Sequence, residues 1–169
     1  MAGVIHDIPL IARRSRRDRS DTRRLLEIPI DRPLVLTSFG AYGARLPSEI
    51  VGATGQFTIL SAERHPPHGL EYQDLVAAAD VVISKPGYGI VSECIANNTA
   101  LLYTSRGDFI EYDTFVAEMP RVLRCRFISH ADLFAGRWAD AISSVLAQPS
   151  PPERARIDGA EVAAAVILS

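Results

Sequence analysis

The stretch Asp80-Val-Val-Ile-Ser-Lys-Pro-Gly-Tyr-Gly-Ile-Val-Ser-Glu93 constrains the fold of this chain more than any other. Apolar and β-branched residues run into a turn made of Lys85, Pro86, Gly87 and Gly89. An amphipathic segment follows at once, with Ile90, Val91, Cys94 and Ile95 on one face. Strand, tight loop and helix in that order build a parallel α/β sheet. The loop sets backbone amides at a helix N-terminus, and its two glycines leave no Cβ to block close approach. Such a loop can hold phosphate oxygens. Glu93 falls within the first two turns, so its carboxylate can face the same mouth. Amides for a diphosphate beside an acceptor for hydroxyl groups suit a nucleotide-sugar. The same residues also fit a plain Pro-Gly turn with a Glu favoured by the helix dipole, so spacing alone leaves both readings open.

The rest of the chain continues the alternation. Asp31-Arg-Pro33 stops whatever precedes it, and Leu34–Phe39 reads as a buried parallel strand. It ends in a second glycine turn, Gly40-Ala-Tyr-Gly43. Pro47–Thr54 is expected to form a short helix and Gln56–Ser61 a second strand. His65-Pro-Pro-His68 makes an irregular loop; two histidines without a neighbouring Cys or acid do not complete a metal-ligand set. Thr99–Thr104 is another strand, followed by a polar loop over Ser105–Asp113. Arg121–Ile128 is expected to be the last strand. His130–Gln148 shows helical spacing, with Leu133, Phe134, Trp138, Ile142, Val145 and Leu146 facing the core. Pro149–Pro152 breaks the chain before a final helix over Ile157–Leu168. The predicted class is α/β: a Rossmann-like parallel sheet of about five to six strands with helices on both faces.

Composition narrows the function. At 169 residues the chain is long enough for one domain with a real core, and a net charge of −2 gives no global pull toward nucleic acid. Arg13–Arg24 carries seven arginines in twelve residues. Asp18 and Asp21 interleave and no aromatics intersperse, so a solvated helix is preferred to a nucleic-acid surface. Seventeen of the 18 basic residues are Arg; Lys85, in the glycine loop, is the one lysine. Cys94 and Cys125 sit in apolar runs and read as buried free thiols of a reducing, cytoplasmic compartment. No apolar run reaches membrane-spanning length, and the N-terminus lacks the apolar core of a signal peptide.

Residues 80–93 resemble the donor-binding motif of GT-B glycosyltransferases of the MurG-like family 28 type. They are more closely similar to the glycosyltransferase-like portion of L-arabinokinases, in which Gly-Tyr-Gly-x-Val-Ser-Glu stands as Gly87–Glu93 does here. The likeness runs from about Ile8 to the end and includes Asp158–Ala164. It implies the C-terminal half of a GT-B fold, with residues 1–30 as interdomain linker and basic helix and 31–169 as donor domain. It places Gly40, Gly43, Lys85, Gly87, Tyr88, Gly89, Ser92, Glu93, Arg106, Asp108, Glu111 and Tyr112 around a nucleotide-sugar, a UDP-sugar, with Glu93 on the ribose. Leu70, Glu71 and Tyr72 become candidates for the nucleobase. MurG-like enzymes carry a Gln pair where this chain has Glu111 and Tyr112, which leaves the sugar open. No cofactor and no metal are implied. The acceptor half is expected on a missing N-terminal domain or a partner subunit, so that this chain alone is an inactive half of a hexosyltransferase-type enzyme. Two other classes fit the same loops: a nucleotide-sugar 2-epimerase fragment, and a non-catalytic module that binds a nucleotide-sugar or a partner protein.

Overall fold

A computed structural model describes residues 5–39, 55–62, 66, 69–107 and 110–168. Along them run α1 (Arg19–Leu25), β1 (Leu34–Ser38), β2 (Thr58–Ser61), α2 (Tyr72–Ala78), β3 (Val81–Ser84) and α3 (Tyr88–Ala96). Then come β4 (Ala100–Tyr103), α4 (Tyr112–Val122), β5 (Cys125–Phe127), α5 (His130–Phe134), α6 (Ala139–Leu146) and α7 (Gly159–Leu168). The five strands pair in the order β2-β1-β3-β4-β5, every pair parallel. This is the expected α/β, Rossmann-like architecture.

The three central strands β1, β3 and β4 are mostly apolar because both their faces are covered. Side chains alternate between the faces. Leu34, Leu36, Val82 and Leu101 pack with Leu75, Val76, Val91, Cys94 and Met119 of α2, α3 and α4. Val35, Val81, Ile83 and Leu102 pack with Leu133, Trp138, Ile142 and Val145 of α5 and α6. Helices therefore lie on both sides of the sheet. Trp138 is fully buried and its indole donates to the Leu133 carbonyl at 2.8 Å.

Some expected elements are corrected. Arg121 and Val122 close α4 and are not strand; β5 starts only at Cys125. The helix holds there because Met119 is buried beneath it and the Leu123 amide still bonds the Met119 carbonyl. The long helix expected over His130–Gln148 is two helices. Gly136 divides them at φ +70°, a left-handed conformation that glycine adopts without strain. Phe134, expected in the core, is 41% exposed. The helix expected over Pro47–Thr54 lies outside the described residues.

Arg13–Arg24 is not a solvated helix. Only Arg19–Leu25 is helical, capped by the Asp18 carboxylate on the Ser20 amide. Four of its arginines reach carboxylates elsewhere in the fold, while Arg14, Arg16 and Arg24 stay exposed: Arg19 and Arg23 pair with Asp80, Arg17 stands by Asp74, and Arg13 pairs with Glu93. Residues 9–17 form a strap across α3. The Leu10 amide bonds the Arg156 carbonyl, Ile11 bridges Asp158, and Asn97 ties down Arg13 and Ser15.

Both cysteines are free, with Cys94 0% and Cys125 7% exposed. Burial pushes the Cys94 thiol far above its ordinary range and Cys125 up to about 11. Both should resist iodoacetamide in the native protein at about pH 8 and react fully on unfolding. Rapid native labelling of either would contradict their burial. A raised folded value means stability present below the unfolded thiol value and lost as pH climbs past it. The melting temperature should therefore decline above about pH 8.5.

Candidate functional site

In a sheet ordered 2-1-3-4-5, successive connections leave in opposite directions from β1 and β3. The crevice beyond their carboxyl ends is where open α/β sheets receive ligands. β1 ends there at Ser38, and β3 delivers Ser84 and then the glycine loop. The Ser84 hydroxyl donates to the Ser38 carbonyl, and Ser38 Oγ lies 2.6 Å from Tyr72 Oη. Two short parallel strands and one residue of α2 are thus knit together at the mouth of the crevice.

Gly87 is the N-cap of α3 and is extended, φ −141° and ψ 153°, with no side-chain cap. The first turn of α3 thus carries no side-chain cap at the positive end of the helix. Gly89 sits inside the first turn, where glycine costs roughly 0.5–1 kcal/mol relative to alanine. A Cβ there would meet nothing within 4 Å, so the fold itself does not require glycine at that position. The residue leaves room beside the first turn. At Gly87 a Cβ would meet the Arg106 guanidinium at 3.4 Å. Arg106 thus stands directly over the loop, its Nη1 3.5 Å from the Pro86 carbonyl.

The polar loop after β4 closes the other side. The Tyr88 hydroxyl donates to the Glu111 carboxylate at 2.6 Å, and the Tyr88 ring leans on Phe115 at 4.6 Å. The bond to Glu111 raises the Tyr88 phenol above its ordinary value. Burial raises that of Tyr112, which Ser105 partly offsets by hydrogen bonding. Lys85 is half-buried beside Pro86. Lys85, Gly87, Tyr88, Gly89, Arg106, Glu111 and Tyr112 therefore gather around one loop. Gly40, Gly43 and Asp108, and with them His65 and His68, lie outside the described residues.

Ser92 and Glu93 face the strap. Ser92 Oγ lies 3.1 Å from the Ile11 carbonyl and 3.0 Å from that of Gly89. The Glu93 side chain is 7% exposed, and its Oε1 accepts from Arg13 Nε at 2.6 Å. Oε2 accepts no hydrogen bond among the described residues. The Arg13 guanidinium also lies 5.6 Å from the centre of the Tyr72 ring. Burial raises the Tyr72 phenol. Of the nucleobase candidates, Leu70 packs partly buried on the core, whereas Glu71 and Asp74 form a capping box that starts α2.

Sequence reasoning missed four residues here. Arg13 is 80 positions from Glu93, and nothing in a run of arginines distinguishes it. Ser38 and Ser84 read only as strand ends. Thr104, which follows β4, is 1% exposed, and its hydroxyl has no partner among the described residues. No group of three His, Cys, Asp or Glu among the described residues is placed to hold a metal. No described helix is long and apolar enough to cross a membrane.

No protein-family model matches the chain. It is similar to L-arabinokinase from Arabidopsis thaliana, 26% identical over 179 residues, which covers 95% of this chain and 16% of the kinase. Its structure resembles the crystal structure of Acinetobacter baumannii MurG with a TM-score of 0.47 and 12% identity, over 91% of this chain and 54% of that one. The chain thus spans about a sixth of the kinase and about half of the MurG chain. Both likenesses expected from the glycine motif recur in these comparisons.

Proposed function

We propose that this chain is the donor-binding half of a glycosyltransferase-type protein and holds a nucleotide-sugar, a UDP-sugar, at the glycine loop. The observation that carries this reading is the N-terminus of α3 at the switch point of the sheet, glycine-lined, without a side-chain cap and beneath Arg106. The diphosphate sits on the α3 amides with Arg106 as its counter-charge. In this reading Lys85, Tyr88, Glu111 and Tyr112 contact the sugar, and the sequence resemblance assigns Gly40, Gly43 and Asp108, outside the described residues, to the same donor site. Glu93 lies about 6–9 Å further along the helix axis at 1.5 Å per residue, the distance from a diphosphate to its ribose. Arg13 holds Oε1 and leaves Oε2 for the ribose hydroxyls. Ser92 serves by anchoring the strap to α3.

Transfer needs an acceptor and a base that orients it. In this reading they come from a further domain or a partner subunit, and the chain by itself binds without turnover. Two buried free thiols suit a cytoplasmic setting.

Calorimetric titration with UDP tests the reading, with Glu93→Gln as the diagnostic variant. The substitution should weaken binding by about 1–3 kcal/mol, the scale of a charge-assisted hydrogen bond. Stability should hardly change, because the Arg13 side chain left unpaired is already 62% exposed. Equal UDP affinity in a folded Glu93→Gln protein would reject the ribose assignment. Absence of saturable binding at millimolar UDP would reject the site.

A further inference from the structure

At the opposite end of α3 from the glycine loop lies an open cavity of about 410 Å³. Arg14, Arg17, Arg19 and Arg124 line it, with Asn97 and Asn98. No carboxylate among the described residues lines it. Two of the arginines have structural duties. Arg19 donates to the Ala77 and Ala79 carbonyls at the end of α2 and pairs with Asp80. Arg17 donates to the Gly69 carbonyl and stands 3.6 Å from Asp74. Capping the C-terminus of α2 accounts for Arg19, and the ties to Gly69 and Asp74 at the start of α2 account for Arg17. Neither duty extends to Arg14 and Arg124. Among the described residues, neither of those guanidinium groups meets a carboxylate within ion-pair distance.

Positive charge is therefore crowded here. Burial holds the Arg19 guanidinium below its ordinary value, Asp80 opposes this, and Arg23 and Arg124 push it down further. Like charges converging on a polar hollow are relieved when an anion enters. Guanidinium forks match phosphoryl oxygens in pairs, and the Asn98 amide adds a neutral donor. The volume falls at the lower end of the roughly 300–1,000 Å³ of small-ligand pockets and admits more than one phosphoryl group. The hollow shape and the overall charge of −2 disfavour a duplex laid along it.

We propose that this cavity is a second anion site that takes a diphosphate or a comparably charged small phosphoester on Arg14 and Arg124. Nine residues of α3, about 13 Å of helix, separate it from the glycine loop. The two sites should fill independently.

Inorganic pyrophosphate, titrated calorimetrically into the full chain with UDP in excess, is the direct test. One equivalent should bind, with affinity falling at least tenfold in Arg14→Ala/Arg124→Ala and severalfold in Arg14→Ala alone. The single variant alters only an exposed side chain and covers the case in which the double variant fails to fold. UDP affinity should be unchanged in both. Pyrophosphate affinity unaltered in the folded variants would overturn the proposal, as would displacement of pyrophosphate by UDP. Tighter, steeply salt-dependent binding of duplex RNA through the same arginines would also overturn it, since the ligand class would be wrong. Phosphatidylcholine vesicles doped with phosphatidylinositol bisphosphate separate two sources of the same chemistry. Arg14-dependent co-sedimentation assigns the phosphates to a headgroup. Its absence, with pyrophosphate bound, assigns them to a soluble molecule. Either result supports the site.

Discussion

Replacing Asp80 by alanine should lower the unfolding free energy by about 3 kcal/mol or more, within the roughly 3–5 kcal/mol for breaking a buried ion pair. One carboxylate fixes three partners. Arg19 Nη1 donates to it at 3.0 Å, Arg23 Nη2 at 2.7 Å, and the Leu34 amide at 2.7 Å. The Arg23 side chain is only 9% exposed, so the variant leaves a nearly buried cation without its counter-ion. Its remaining bond, to the Ala78 carbonyl, does not neutralise that charge. Arg19 is 42% exposed and can turn to water, which keeps the expected loss near the lower end of the range. The Leu34 amide opens β1 next to β3, so the damage reaches the centre of the sheet. Urea unfolding followed by circular dichroism gives the number. A loss under about 1 kcal/mol would mean that Arg23 finds water and that the pair is worth no more than a surface one.

Gly159→Ala should cost about 2–3 kcal/mol, from overpacking at about 1–3 kcal/mol and a weakened hydrogen bond of about 1 kcal/mol. A Cβ at Gly159 would stand 2.1 Å from the Pro9 carbonyl oxygen, 2.8 Å from its carbon and 2.9 Å from the Leu10 oxygen. These are backbone atoms, so no rotamer change relieves the clash. The strap must move, and the bond from the Gly159 amide to the Leu10 carbonyl goes with it. Helix propensity pulls the other way by at most about 1 kcal/mol, too little to compensate. Hydrogen exchange at Leu10 and Ile11 should quicken in the variant. Because Ile11 also accepts from Ser92 and leads into Arg13, UDP affinity should fall together with the strap's protection. Unchanged exchange and stability would show that the strap yields without cost.

The sheet and its helices were legible in the sequence for a local reason. Leu34–Leu36 and Val81–Ile83 are apolar because each strand is covered on both faces, and such runs followed by glycine turns have few other uses. The glycine loop was legible because Pro86, Gly87 and Gly89 punctuate the pattern between an apolar strand and an amphipathic helix. Boundaries were less so. Gly136 splits a periodic apolar run through its φ of +70°, a choice that hydrophobic spacing does not encode.

The arginines mark the limit of local reading. Seven in twelve residues looked like a solvated face, because like charges adjacent in sequence repel and expose one another. Their partners Asp74, Asp80 and Glu93 lie between 57 and 80 positions away across the pairs concerned. Only the folded chain brings those carboxylates under the strap, and only there does Glu93 acquire Arg13. By itself the sequence determined a parallel α/β sheet with a glycine turn leading from a strand into a helix, since both follow from short-range pattern and sterics. The tertiary structure alone decided which strand ends form the crevice, which carboxylate meets which guanidinium, and which arginines are left facing a cavity. Those are long-range pairings, set by strand order and packing that no window along the chain contains.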